Sequence, residues 1–171
     1  MAEKSKISPL ATNAEKVKIV KAVPTDLNAL VALEQLSFQA SDYPLSRRQF
    51  SHFIHHGHVL FLTIKIQELI IGYALFLLRK NSTAAHLHSL ALHPDYHGMG
   101  LGKHLMEIAI LEIQNQKLQK IRLEVRVDNY AALNFYSKLG FKPIVRCVGF
   151  YADGADALKM EYNLTPKHRE A

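Results

Sequence analysis

The chain holds one cysteine, Cys147, and no tryptophan among its 171 residues. A single thiol excludes an internal disulfide and fits a reducing compartment. Its place in an apolar, strand-like run favours a small filler over a nucleophile. No apolar stretch approaches the roughly twenty residues a membrane helix requires, and no signal-peptide pattern opens the chain, so a soluble, cytoplasmic protein is expected. Internal repeats and Pro/Ser-rich linkers are missing too. One domain with a sizeable core is expected over residues 16–164, with a flexible start over 1–15 and a tail over 165–171. The net charge of +6 leans basic, yet Lys and Arg are scattered. Without an aromatic–basic stripe or a helix-turn-helix pattern there is no footprint for direct nucleic-acid binding. The charge suits an anionic cofactor or a negatively charged partner such as the ribosome.

What is present alternates between two periods. Val17–Val23 reads as a strand, and Pro24-Thr25-Asp26 starts a helix whose apolar face is Leu27, Leu30, Val31 and Leu33. A loop over Phe38–Ser46 precedes a short helix containing Phe50, Phe53 and Ile54. Val59–Ile66 and Leu69–Leu78 form a hairpin about Gln67-Glu68, and His86–Leu92 is the next strand. Leu101, Leu105, Ile108, Ala109 and Ile113 recur at helical spacing. Ile121–Val127 is a strand, Asp128-Asn129 caps a helix from about Tyr130 to Lys138, and Gly140 closes it. Pro143–Tyr151 and Ala157–Asn163 read as two last strands. The order, β-α-α-β-β-β-α-β-α-β-β, implies an α/β mixed sheet with helices on both faces.

Between the strand His86–Leu92 and the long helix lies His97-Gly98-Met99-Gly100-Leu101-Gly102-Lys103. Glycines there let the backbone turn tightly beside a ligand, and the first helical N–H groups point outward unpaired, which suits phosphate or pyrophosphate. The spacing rules out two common loops. Lys103 is followed by His104, not the hydroxyl of a Walker A motif, and glycines at alternate positions do not make Gly-x-Gly-x-x-Gly.

Together with the segments C-terminal to it, this loop resembles the GCN5-related N-acetyltransferase (GNAT) superfamily. The family's loop reads Gln/Arg-x-x-Gly-x-Gly/Ala, with His97 here in the first place. Leu123-Glu124-Val125-Arg126, Asn129, Ala131-Ala132, Tyr136 and Leu139-Gly140-Phe141 are most similar to the RimI-like protein N-terminal acetyltransferases, as is Tyr151-Ala-Asp-Gly-Ala-Asp-Ala-Leu-Lys-Met160. The resemblance covers about residues 17–164. It implies a single-domain GNAT fold: about seven mostly antiparallel strands, a splay between the fourth and fifth, and about four helices.

It also implies acetyl-CoA as cosubstrate, without a metal. Gly98, Met99, Gly100, Leu101 and Gly102, with His97, would meet the pyrophosphate; Lys103 adds charge there or is a solvated surface lysine. Leu90, Ala91 and Leu92 would pair with the pantetheine arm, and the N–H of Leu92 would face the thioester carbonyl. Glu124 is the implied general base, acting through a water, and a salt bridge to Arg122 or Arg126 is the structural alternative. His86 and His88 alternate on one strand face and are natural bases near neutrality, able to replace Glu124 or relay its proton. Tyr136 would protonate the departing thiolate, a phenol of pKa near 10 facing a thiol near 8.5. Asn129 is expected both to cap its helix and to touch coenzyme A.

The acceptor groove is expected between Ser41-Asp42-Tyr43-Pro44-Leu45 and the hairpin about Phe150, Tyr151 and Asp153, with Tyr43, His88 and Tyr151 as substrate contacts. His52, His55, His56 and His58 have helical spacing but no carboxylate or cysteine beside them, and no metal site is expected. A peptide α-amine, with pKa near 8, is neutral in roughly a tenth of molecules at pH 7, against about one in several thousand for lysine. The acceptor is therefore read as a protein N-terminus, with a ribosomal protein as candidate, in a monomer or weak homodimer. Acetylation of a lysine or of a small amine, such as a polyamine, amino acid or antibiotic, is the same chemistry on another acceptor. A coenzyme A-binding module without turnover is the alternative from another class, and retention of Glu124 and Tyr136 argues against it.

Overall fold

Two near-continuous apolar runs within residues 59–78 build the centre of the sheet. The computed structural model describes residues 16–164, so the expected flexible start and tail lie outside the described residues. Strands β1 (Lys18–Lys21), β2 (Val59–Ile66), β3 (Leu69–Leu78) and β4 (Ala84–Leu92) pair antiparallel in that order. Helices α1 (Leu27–Ser37) and α2 (Arg47–His55) fill the β1–β2 connection. On β2, Leu60, Leu62 and Ile64 face one layer and Phe61 the other, so both faces of the central strands are covered.

The second half is α3 (Leu101–Asn115), β5 (Lys120–Arg126), α4 (Tyr130–Leu139), β6 (Lys142–Cys147) and β7 (Ala157–Asn163). The seven strands lie in the order β1-β2-β3-β4-β5-β7-β6, parallel only at β4–β5. Leu105, Met106, Ala109 and Ile113 of α3 bury against Ala74, Phe76, Ile121 and Leu123. Leu30, Leu33 and Phe50 of α1 and α2 cover the opposite face with Phe61, Tyr73 and Leu75. The expected mixed sheet with helices on both faces is what forms.

Local signals account for the helix ends. Ser46 caps α2, its hydroxyl accepting from the Gln49 N–H at 3.3 Å while the Ser46 N–H donates to Gln49 Oε1 at 2.9 Å. The Asn129 side chain accepts from the Ala132 N–H at 3.1 Å, and Gly140, at φ +107°, closes α4 as expected. One strand ends early: the run expected from Pro143 to Tyr151 stops at Cys147. Gly149 turns at φ +63° and its N–H is taken by Asp156 Oδ1 at 2.8 Å, so Phe150 and Tyr151 sit in a loop.

Two buried ionic groups lie beneath α1. Lys65 Nζ is 2.8 Å from Asp26 Oδ1, and Asp26 Oδ2 accepts from the Val23 N–H, which pins the start of α1 to the sheet. Glu34 accepts from the Leu45 N–H at 2.7 Å and from the Tyr73 hydroxyl, and that hydroxyl lies 2.7 Å from Ser89 Oγ. The loop after α1 is thereby tied to the middle of β4.

Candidate active site

The site begins where β4 and β5 part. Their parallel pairing covers only Ala84–His86 against Lys120–Arg122, after which the strands diverge. A bulge at His88, where Leu75 pairs with Ser89 and Phe76 with Leu87, helps to turn β4 away. It also exchanges the faces of the strand. Ala85 and Leu87 point to the α3 layer, while beyond the bulge Ala91 points to the α1 layer and Ser89 reaches Tyr73.

The end of β4 aims backbone groups into the gap. The His93 N–H donates to the Ile71 carbonyl at 2.7 Å, so His93 faces β3. Antiparallel alternation then turns the N–H and C=O of Leu92, one residue earlier, away from β3. The Leu92 carbonyl lies 2.7 Å from His97 Nε2, in keeping with that direction.

After a short turn at Pro94–Tyr96, the glycine loop runs into α3. Gly98 and Gly100 both have φ +76°, with open space where a side chain would project, so backbone N–H groups stay approachable. A cleft of about 450 Å³ lies here, lined by Leu90, Ala91 and Leu92, by His97, Gly98, Gly100, Leu101 and Gly102 of the loop, and by Phe135 and Tyr136 of α4. Met99 is half-exposed and Lys103 lies 3.8 Å from Glu107, so neither side chain lines it.

A second cleft, of about 400 Å³, opens on the α1 face and holds Glu124, His86, His88, Tyr43 and Tyr151. Leu90, Ala132 and Tyr136 line both clefts. Asn129 lines this second one, not the glycine-loop cleft where coenzyme A contact is expected.

Glu124 projects from β5 opposite to the buried Leu123 and Val125. Its Oε2 lies 2.6 Å from His86 Nε2, and Lys159 Nζ is 4.0 Å from Oε1. The alternative partners, Arg122 and Arg126, are engaged elsewhere: Arg122 with Glu161, Arg126 with three aspartates. His86 Nδ1 is buried without a partner, so a proton there would have no acceptor. Nε2 then carries the proton and donates to Glu124. Burial pushes the Glu124 carboxyl up, but the His86 hydrogen bond, with the electrostatic pull of His86 and Lys159, outweighs it and holds the group below its ordinary value. His88 rests against Phe53, ring centres 5.7 Å apart, and desolvation with His86 nearby lowers its pKa.

Tyr136 is buried edge-on to Phe141, and burial drives its phenol well above the ordinary range. It stays protonated at neutral pH.

Arg126 joins the walls of the second cleft. It meets Asp153 Oδ2 through Nη2 at 2.6 Å, Asp42 Oδ1 through Nη1 at 3.2 Å and Asp128 Oδ1 through Nε at 3.3 Å. Its guanidinium lies 4.8 Å from the centre of the Tyr151 ring, which stacks on Tyr43 at 6.3 Å. Tyr43 holds a left-handed backbone, φ +55°, a conformation a bulky residue keeps only where its neighbours fix it.

Sequence reasoning named most of these positions. It missed Gly72, which carries no motif yet lets β3 close up against Leu92 of β4, and it left open the partners of Glu124 and Arg126, which come from 27–84 residues away in the chain.

Comparison with known proteins adds a family. A model described as the acetyltransferase (GNAT) family matches residues 27–141. N-alpha-acetyltransferase 30 of Schizosaccharomyces pombe is 27% identical over 144 residues, covering 82% of this chain and 96% of that protein. The Saccharomyces cerevisiae protein of the same name is 41% identical over 78 residues, which take in 46% of this chain and only 44% of that relative. Among solved structures, the ribosomal-protein-S18-alanine N-acetyltransferase from Escherichia coli superposes with a TM-score of 0.79 at 26% identity, covering 91% of this chain and 99% of that one.

Proposed function

The chain belongs to the acetyltransferase (GNAT) family, and on that premise we propose that it moves the acetyl group of acetyl-CoA onto the N-terminal α-amine of a protein. One observation carries the reading: two clefts meet at Tyr136, one built from the glycine loop and the open edge of β4, the other holding the His86–Glu124 pair.

The residues fit the donor. Outward N–H groups in the loop suit a pyrophosphate, and the open edge of β4 offers amide partners to a pantetheine arm. Leu90, Ala91, Leu92, His97, Gly98, Gly100, Leu101 and Gly102 are the proposed binding set, Met99 and Lys103 serving through backbone alone. The acceptor enters the other cleft between Tyr43 and Tyr151, beside His88.

The chemistry needs one proton removed and one supplied. The amine nitrogen attacks the thioester carbon as Glu124, kept ionised by the His86 N–H, takes the amine proton directly or through a water. The N–H of Leu92 faces the oxygen that becomes negative. As the carbon–sulfur bond breaks, the Tyr136 hydroxyl protonates the thiolate, and solvent returns the proton from Glu124 to Tyr136. An N-acetyl peptide and free coenzyme A result. Names of relatives support a peptide acceptor, and the likeness to the Escherichia coli enzyme makes a ribosomal-protein N-terminus the first candidate.

Mass spectrometry of a peptide panel incubated with acetyl-CoA tests this, with varied first residues, N-blocked lysine controls and spermidine alongside. Acetylation confined to free α-amines is expected. Modification of lysine or spermidine alone refutes the acceptor assignment, and no product anywhere refutes the activity.

A further inference from the structure

Arg126 stands two residues beyond Glu124 on the same face of β5, yet it touches no reacting group. Its contacts run outward to three separate elements: Asp42 in the loop after α1, Asp128 in the turn after β5, and Asp153 with Tyr151 in the β6–β7 connection. The first and last of these are the two walls of the acceptor cleft. Asp42 and Asp153 are 111 positions apart in the chain and both bond the same guanidinium, Asp153 through two nitrogens. No direct hydrogen bond or ion pair between the walls is found among the described residues; Tyr43 and Tyr151 meet only by stacking. Arg126 is thus the polar tie across the cleft, and its guanidinium also contacts the Tyr151 ring.

We propose that Arg126 is a positioning residue that sets the width of the acceptor cleft by holding its two walls against one rigid strand. This rests on the acceptor reading above. A planar guanidinium with five N–H donors is suited to the task, since it bonds several carboxylates at fixed angles. Lysine, a single charged point on a flexible stem, satisfies one wall at a time. The anchor is β5 itself, so the walls are referenced to Glu124 rather than to each other. Loss of the tie moves an incoming amine relative to its base without disturbing the glycine loop on the far side of Tyr136.

Two measurements on the full chain test it. In steady-state kinetics, Arg126→Gln is expected to raise KM for the acceptor peptide about tenfold or more, the scale on which mispositioning acts, with KM for acetyl-CoA unchanged. Arg126→Lys should keep that defect despite retaining the charge. In hydrogen exchange, Arg126→Gln should speed exchange in both segments 39–45 and 148–156. Asp153→Asn should loosen segment 39–45 as well, with no direct hydrogen bond to it. Loosening of one wall only, or a rise in both KM values together with a lowered melting temperature, overturns the tie. If the wild-type protein acetylates no peptide, the acceptor reading fails, while the exchange measurement still decides whether Arg126 couples the walls.

Discussion

Gly72 of β3 sits directly opposite Leu92 of β4, and a methyl group placed on it would stand 2.9 Å from Leu92 Cδ1 and 2.8 Å from the Ala91 carbonyl oxygen. Ile64 Cγ2, at 2.9 Å, closes the third side. Only glycine lets β3 approach β4 this closely at the end of the strand. Gly72→Ala must push that end outward or distort β2. We expect a loss of about 1–3 kcal/mol in urea unfolding, the usual cost of overpacking, together with a raised KM for acetyl-CoA. An unchanged KM would separate the position of β4 from donor binding.

The His86–Glu124 pair predicts a pH signature. Glu124→Gln removes the base and His86→Gln removes the N–H that keeps it ionised, and each is expected to lower kcat/KM by about a hundredfold. Because the two act as a unit, the double variant should be scarcely worse than either. Both variants must wait for solvent to deprotonate the amine, so their rates should climb more steeply than wild type as pH rises towards about 8 and level off as the amine becomes fully neutral.

The same pair bears on stability, with the sign fixed by linkage. The Glu124 carboxyl titrates lower in the folded chain than unfolded, so its contribution is present above the ordinary carboxylate value and is lost as pH falls through the folded one. Asp153, Asp156 and Glu161 are lowered as well. Thermal melts are therefore expected to fall together below about pH 4, the ordinary carboxylate range.

Tyr136→Phe keeps the ring that packs on Phe141 and removes only the hydroxyl. Turnover should drop by about a hundredfold or more, with KM for acetyl-CoA within a factor of about two, as for a group acting only when the thiolate leaves. Isothermal titration with coenzyme A checks the binding half. A loss of affinity matching the loss of rate would make Tyr136 a binding residue.

Glu34 lies at the floor of the second cleft, its carboxylate taken by the Leu45 N–H and the Tyr73 hydroxyl. Glu34→Ala leaves the Leu45 N–H and the Tyr73 hydroxyl short of an acceptor and should cost about 1–3 kcal/mol in chemical unfolding. Burial raises the Glu34 carboxyl against the opposing Leu45 and Tyr73 hydrogen bonds, so whatever the folded state gains from it is full below the unfolded pKa and declines as pH rises through the folded one. Glu34→Gln should accordingly compare better with wild type at pH 7 than at pH 4.

Much of this architecture is legible in the sequence because the signals are local. The hairpin of β2 and β3, the Asn129 cap and the Gly140 stop each depend on residues within a few positions of one another. The loop from His97 to Gly102 is legible for the same reason. What stays hidden is set by distant parts of the chain. The bulge at His88 depends on register with β3, and the choice of His86 over an arginine as partner of Glu124 depends on where β4 and β5 still pair. Apolar residues from Pro143 to Tyr151 read as one strand because nothing nearby announces that Asp156 will take the Gly149 N–H. Gly72 looks like an ordinary weak point in a strand until Leu92 is seen across from it.

Only three residue pairs join β4 to β5, and these two strands are where the N-terminal run of four meets the C-terminal run of three. The sheet is a book with a short spine. On the reading proposed above, a donor lying in the opening would carry the spine onward and serve as structural mortar as well as reagent. Its binding adds RT ln(1 + [L]/Kd) to the folded state, about 2.7 kcal/mol at a hundred times Kd. A chain so built would be most coherent when charged for reaction, and looser at the seam each time it let spent coenzyme go.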